Sequence, residues 1–456
     1  MSRLLVDCTY VYDHPNDNSG IQRVVRNVIR ELPAKDRGRE CIPVVMLQGK
    51  LYEVKSLAPL PTNGLDLASL RARLVQFANL FWLRQRTLEQ RRPFSQSIWA
   101  RRFLYVACRL FALACLSLPI RILDRLLKRK PVPARSVPLA HRAGDQLVLL
   151  DSSWHSGFFP LAEQLKRDGV GIISVVYDLI PLTHPQFCDA GLVKVFNHWF
   201  DWIARTADGY IAISTTIRDQ LRQEMVRRIG EQEVRKRWFD YFHLGSELDL
   251  VDATQALDPD LLRLFKRPEP VFLMVSTIEP RKNHAYLIDA FERAWAAGSQ
   301  ARLCIVGKIG WKCEALIERI QRHPQLDSRL FMFNNLADQS LEHAYRHATA
   351  LVFPSYVEGF GLPLVEAMQR GLPAMGSDIE VFREIGGDFM AYFDLDDPQS
   401  LANLVIDMEH TGLFPAKRNL DQWQWLSWRQ ASAQLVERIE GHIIGAAIVD
   451  RETTCG

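Results

Sequence analysis

Short apolar runs alternate with amphipathic helical stretches along this chain of 456 residues, and that alternation limits its fold more than any other feature. A strand, helix, strand order needs crossover connections. Crossovers build parallel sheets with helices on both faces. In the first half, strands are expected at 3–8, 43–47, 146–150, 171–177, 209–213 and 240–244, with helices at 21–32, 193–206 and 215–229. In the second half, strands are expected at 271–275, 302–306, 330–333, 350–353, 373–376 and 391–393, with helices at 285–297, 313–323, 340–347 and 364–370. The stretch 249–269 contains Asp258-Pro259 and Pro268-Glu269-Pro270 and reads as a linker between two doubly wound halves. The expected divisions are 1–250, a linker at 251–267, 268–425 and 426–456, and the final helix is expected to begin over 422–428 and to end near Ile444.

Apolar residues make up 48% of the chain, charged residues 24%, and the net charge is +3, which gives no reason to expect a nucleic-acid partner. The charge is uneven. Residues 71–130 hold 14 Lys and Arg against Glu89 and Asp124, so this segment is +12 and the remainder is −9. Within it, Phe103 to Ile120 is apolar except for Arg109, with Arg101, Arg102, Arg121 and Lys128-Arg129-Lys130 around it. A central arginine is costly inside a bilayer. A cationic helix lying in the interface is the better membrane reading, and a helical hairpin packed on its own domain is the alternative. The eight cysteines include no C-x-x-C pair, and the N-terminus lacks a signal-peptide apolar core. Reduced thiols and a cytoplasmic site on the inner face of the membrane are expected.

The richest constellation is Pro354-Ser355-Tyr356-Val357-Glu358-Gly359-Phe360-Gly361-Leu362, which runs on to Glu366. It follows the strand ATALVF and leads into a helix. Gly359 and Gly361 allow the backbone to approach a ligand closely, and the free amides at the helix start face an anion or hydroxyls. Glu366 lies about two turns beyond the loop, so two carboxylates can address one elongated polar ligand. Carboxylates suit sugar hydroxyls because they only accept hydrogen bonds. Solvated glutamates on a capped helix are the plain alternative.

This string resembles the E-x7-E motif of family-4 retaining glycosyltransferases with the GT-B fold, closely over about 270–395 and loosely in the first half. The resemblance implies two Rossmann-like domains facing a cleft, with the acceptor on 1–250, the donor on 268–425, and a last helix that crosses back. It implies that Glu358, with the amides of Phe360 and Gly361, holds the donor sugar, and that Glu366 binds the ribose. Gly359 and Leu362 belong to the same loop. Lys282 falls on the family's donor-phosphate lysine, whereas the usual arginine position is Thr277, and Arg281 is the substitute. Paired cations stabilise a departing diphosphate without a metal. Gly307, Gly310 and Asn334 fall where the family borders the nucleotide. Gly20 resembles the glycine loop facing the diphosphate, with Arg23 one turn on.

Asp178 ends a strand, where open α/β sheets bind ligands, and many relatives have histidine where Tyr177 stands. Asp178, Tyr177, His184 and His155 are the acceptor-side candidates, together with Arg23. Asp394-Leu395-Asp396 reads as a turn, and no metal or cofactor is expected beyond the nucleotide-sugar substrate. Trp423, Trp425 and Trp428 are read as packing for the last helix. The reaction so implied is retaining transfer of a hexosyl unit, mannosyl among the options, from a GDP- or UDP-sugar to a glycan or lipid-linked acceptor in surface polysaccharide or lipopolysaccharide synthesis. A silent sugar-nucleotide-binding scaffold and a GT-B epimerase are the alternatives.

Overall fold

The computed structural model describes residues 2–15, 20–33, 35–36, 39–57, 98–128, 135–152, 154, 156–246, 256–334 and 336–454, together with Leu70, Arg71, Leu74, Phe77, Ala78 and Phe81. The chain forms two compact units, Met1–Glu53 with Pro138–Gly456, and Val54–Val137.

The larger unit contains both sheets. In the first, β1 (Leu4–Asp7) lies between β3 (Arg39–Leu47) and β6 (Gln146–Leu149), with Leu5 opposite Ile42 on one side and Leu147 on the other. Parallel pairing continues through β7 (Gly171–Val176), β8 (Gly209–Ala212) and β9 (Trp238–Tyr241). On the opposite side β3 pairs antiparallel with β2 (Lys35–Asp36) and β4 (Lys50–Val54). β5 (Ser136–Pro138) stands at the end of the other unit. The second sheet is parallel throughout, in the order β12 (Leu330–Phe333), β11 (Arg302–Val306), β10 (Val271–Val275), β13 (Ala350–Phe353), β14 (Ala374–Ser377), β15 (Ala391–Phe393). Strands buried on both faces are continuous apolar runs because helices cover both sides. Leu147, Ile172, Phe200 and Tyr210 centre the first core, and Phe272, Leu303, Phe291 and Val352 centre the second. Strand order reverses at β1 in the first sheet and at β10/β13 in the second, and a crevice opens beyond the strand ends at such points.

Local sequence accounts for the departures from expectation. The β3–β4 hairpin was not anticipated. Its loop, Gln48-Gly49, takes φ of 52° and 75°, the double left-handed conformation of a tight hairpin turn. Helix Pro259–Phe265 stands inside the expected linker: Asp258 caps it by accepting from the amides of Asp260 and Leu261, and Pro259 supplies a preset first turn. The ninth strand lies two residues earlier than expected, at Trp238, because Leu244 has left the sheet to accept from the Trp425 indole at 2.8 Å. The last helix, Trp428–Thr454, starts later than Gln422. Ser427 and Gln430 form a reciprocal cap, with Ser427 N donating to Gln430 Oε1 at 2.9 Å and Gln430 N to Ser427 Oγ at 3.2 Å. The chain before this cap is extended, and Trp423 stacks on Trp425 at 5.4 Å. The helix lies against the first lobe, where His442 stacks on Trp238 and Ser432 Oγ bonds the Val28 carbonyl. Trp428 is fully buried.

A charged cap joins the two lobes. Glu384, on helix Glu380–Gly386, accepts from the amides of Thr215 and Thr216 at 2.7 and 2.9 Å, at the start of helix Thr215–Ile229, and from His243 Nε2 at 2.8 Å. A carboxylate at a helix N-terminus satisfies orphan amides and opposes the helix dipole favourably.

The smaller unit is a helix over most of its described length: Ile98–Ala112, a wider turn at Leu113–Ser117, then Leu118–Lys128. Its boundaries exceed the 71–130 read from charge alone. Arg102–Leu123 is long and apolar enough to cross a membrane by length and composition, with mean hydropathy 2.0.

Burial opposes ionisation of Glu384, but bonds from His243, Thr215 and Thr216 outweigh it and hold the carboxyl down to about 2 from its ordinary 4.5. The stabilisation is therefore complete above pH 4.5 and is lost as pH falls toward 2. Glu384→Gln is expected to cost about 1–2 kcal/mol at neutral pH after solvent screening. Melting curves against pH should show the gap between variant and wild type closing across that acidic window.

Candidate functional site

The two sheets turn their C-terminal strand ends toward a common cleft of about 680 Å³, within the range of ligand-sized sites. Its floor is ionic. The loop after β10 carries Glu279, Arg281 and Lys282, and the loop after β13 carries Glu358, so the β10/β13 reversal brings them together. Arg281 Nη1 donates to Glu358 Oε2 at 2.8 Å, its Nε pairs with Glu279 Oε1 at 2.6 Å, and Lys282 Nζ donates to Glu358 Oε1. Lys282 also sits 4.7 Å from the Phe353 ring. Burial would raise the Glu358 carboxyl, but Arg281 and Lys282 override it and hold it down to about 2. Burial pushes the Lys282 ammonium down, aided by Arg281. It pushes Glu279 and Asp178 up, partly offset by the neighbouring Arg281. The cluster joins two cations and two carboxylates, and an anion in the cleft can enter it by exchanging partners.

Glu366 lies on the buried side of helix Leu362–Gln369. Tyr345 donates to its Oε2 at 2.9 Å, and Arg23 reaches across from helix Gly20–Glu31 to its Oε1 at 2.5 Å. The Arg23 contact joins the lobes directly. Tyr345 was not anticipated, because it reaches Glu366 from a separate helix, Asp338–His347.

The glycines have distinct tasks. Gly361 holds φ of 102° at the start of its helix, a conformation that disfavours side chains. Gly359 is where the lobes meet: an added Cβ would stand 2.2 Å from the Tyr177 carbonyl oxygen and 3.1 Å from Asp178 Cβ. Ser214 Oγ, the cap of helix Thr215–Ile229, also donates to the Gly359 carbonyl at 3.1 Å. Gly307 lines the cleft, and it also packs so closely on β10 that a Cβ would meet the Ser276 carbonyl at 1.7 Å. Gly310 likewise abuts the Ile278 carbonyl at 2.7 Å. Gly20, with open space around it, lines the cleft with Phe360 and Leu362.

On the first lobe, Asp178 lines the cleft, half-buried, and accepts from the Ile180 amide at 3.0 Å. Tyr177 also lines the cleft, but it is buried and its hydroxyl donates to the Leu150 carbonyl at 2.7 Å. His184 and Asn334 are outside the cleft lining. His184 bonds Thr183 and stacks with Phe187, and Asn334 is exposed. His155 and Asn335 lie outside the described residues. A strap crosses one rim, where Trp311 Nε1 donates to the Phe187 carbonyl at 2.9 Å and Lys312 Nζ to the Cys188 carbonyl at 2.8 Å. Asp394-Leu395-Asp396 forms a turn in which the Asp396 amide bonds Asp394 Oδ1, and the Asp394 carbonyl accepts from Tyr286. Among the described residues no group of three or more His, Cys, Asp or Glu converges to hold a metal ion.

Two facing α/β lobes with a cationic, carboxylate-lined cleft define the GT-B architecture. Residues 263–422 match the family described as glycosyl transferases group 1. The chain is 32% identical over 312 residues to the serotype-specific mannosyltransferase WbdA of Escherichia coli, covering 66% of this chain and 38% of WbdA. The chain thus spans well under half the length of that relative. It is 23% identical to O-antigen chain mannosyltransferase B of Escherichia coli, over 68% of this chain and 80% of the other. The fold resembles that of α,α-trehalose 6-phosphate synthase from Burkholderia multivorans, with a TM-score of 0.54, 14% identity, and coverage of 99% and 98% of the two chains.

Gly359→Ala is expected to force the Tyr177 carbonyl away and part the lobes, lowering the melting temperature and weakening nucleotide binding at least roughly tenfold. Gly441→Ala, inside the last helix where no atom lies within 4 Å of the added Cβ, is the control: it should leave nucleotide binding unchanged and raise the melting temperature slightly, the opposite sign. Calorimetry with UDP and GDP reads both.

Proposed function

We propose that this chain transfers a hexosyl unit from a GDP- or UDP-sugar to a glycan or lipid-linked acceptor in surface polysaccharide synthesis, with retention of configuration. The names of the relatives favour mannose as the sugar. The observation that carries the reading is the junction of Arg281 and Lys282 with Glu358, with Glu366 further along the same cleft. In this scheme the diphosphate takes Arg281 and Lys282 as its partners. Glu358, released from them, accepts from sugar hydroxyls, and the amides of Phe360 and Gly361 support the same sugar. Glu366, braced by Tyr345, receives the ribose hydroxyls.

Two fixed cations stabilise the charge that develops on the leaving diphosphate without reorganisation, which is the work a metal ion does elsewhere. Asp178 stands beside Gly359 on the opposite lobe, where it can orient the acceptor hydroxyl. The acceptor oxygen bonds the anomeric carbon on the face from which the diphosphate departs, so retention needs no enzyme nucleophile, and the departing phosphate oxygen takes the hydroxyl's proton, so no separate base is needed.

The test is nucleotide release from a panel of GDP- and UDP-sugars, with and without membrane-lipid extract. One donor should be consumed, faster with extract, and Glu358→Ala should abolish release. Lys282→Ala is expected to weaken binding of the released nucleotide by roughly tenfold to hundredfold, the loss of one charge-assisted bond. Tight binding of a sugar nucleotide with no turnover would replace the transferase with a binding scaffold. A rearranged sugar formed without acceptor would point to an epimerase.

A further inference from the structure

The smaller unit exposes a surface that suits water poorly. One side of its helix is turned inward: Ala112, Leu116 and Leu123 are buried, and Leu104 and Cys108 are half-buried. The other side carries Trp99, Phe103, Val106, Leu110 and Leu113, spaced four, three, four and three residues apart. That spacing draws one continuous stripe along a helix. All five side chains are exposed, Trp99 by 78%, Phe103 by 76% and Leu110 by 62%. Single exposed apolar residues are ordinary, whereas a contiguous stripe marks a surface that is covered in use.

The spacing alone would suit a second copy of the same helix as well as lipid. The charges decide between them. Arg102 and Arg109 flank the stripe and are exposed, as is Arg121 further along. Arg102 lies 5.9 Å from the Trp99 ring, and Arg109 donates to the Tyr105 hydroxyl at 3.2 Å. Glu89 and Asp124 are the only acidic residues in 71–130, so two such stripes brought together would face arginine with arginine. An anionic leaflet supplies both the apolar medium and the counter-charge. Arg109 also opposes full spanning, since it falls about a third of the way along the 22 residues of Arg102–Leu123, yet it stays at the headgroups when the helix lies on its side.

We infer that the Trp99–Leu113 stripe docks on an anionic phospholipid bilayer, its apolar side chains below the headgroups and Arg102, Arg109 and Arg121 at the phosphates. This inference is independent of the donor site.

The test is co-sedimentation of the full chain with vesicles of phosphatidylcholine alone or mixed with phosphatidylglycerol. The protein should pellet with the mixed vesicles, less so at high salt, and remain in solution with the neutral ones. Phe103→Asp with Leu110→Asp should reduce binding at least tenfold, leaving melting temperature and nucleotide binding unchanged. Arg102→Gln with Arg109→Gln should cost about fivefold per arginine, roughly 25-fold together. This second variant alters exposed charges only, so it keeps the test sound if the first misfolds. Equal binding to both vesicle types, or no pelleting at low salt, would overturn the inference. So would a dimer without lipid that Leu110→Asp turns into a monomer.

Discussion

A buried carboxylate has to be paired, and in this chain the pairing of Glu358 with Arg281 and Lys282 draws the rest of the second lobe around it. An ionised group removed from water costs several kcal/mol unless opposite charge and hydrogen bonds compensate. Compensation here requires two loops to meet, the one after β10 and the one after β13, and these strands are neighbours only because the strand order reverses between them. The reversal puts cations and carboxylate in one crevice, the glycine-rich turn lets the other lobe come within van der Waals reach, and the helix beyond carries the second glutamate inward. Topology, charge and backbone shape thus depend on one another at a single point.

Much of this was legible from the residues. Five of the six strands of the second lobe are largely apolar runs and lie where the pattern put them, because a strand buried on both faces leaves a continuous signature. The string from Glu358 to Glu366 was legible for a similar reason, since it combines short-range features that each have a local cause. What escaped was of two kinds. Some local signals were ambiguous: Asp258-Pro259 was read as a chain breaker, although an aspartate followed by proline also starts a helix, and the Ser427–Gln430 cap moved the last helix six residues beyond Gln422. Other features are products of the folded state. Nothing near Arg23 announces that it meets a glutamate 343 residues away, and the hydroxyl of Tyr177 is spent on Leu150 only once β6 and β7 lie side by side.

The uneven charge of the chain has a structural counterpart in its two units. The larger holds many of its ions in pairs, buried in Arg3 with Asp145 and partly buried in Arg228 with Asp201. The smaller has scarcely any acid to offer its arginines. A segment so composed gains little from ion pairs with itself, and its free energy depends on the counter-charge its surroundings supply.

The Arg23–Glu366 bridge also bears on how the cleft empties. A ligand that takes the place of Arg23 on Glu366 displaces a guanidinium that stays tethered beside it, present at high local concentration whenever the ligand loosens. Binding at that position is therefore an exchange of partners and not an addition, and its reversal is assisted by the protein itself. A site that carries its own competitor gives up tightness, and the departure of an occupant restores the ionic contact between the lobes.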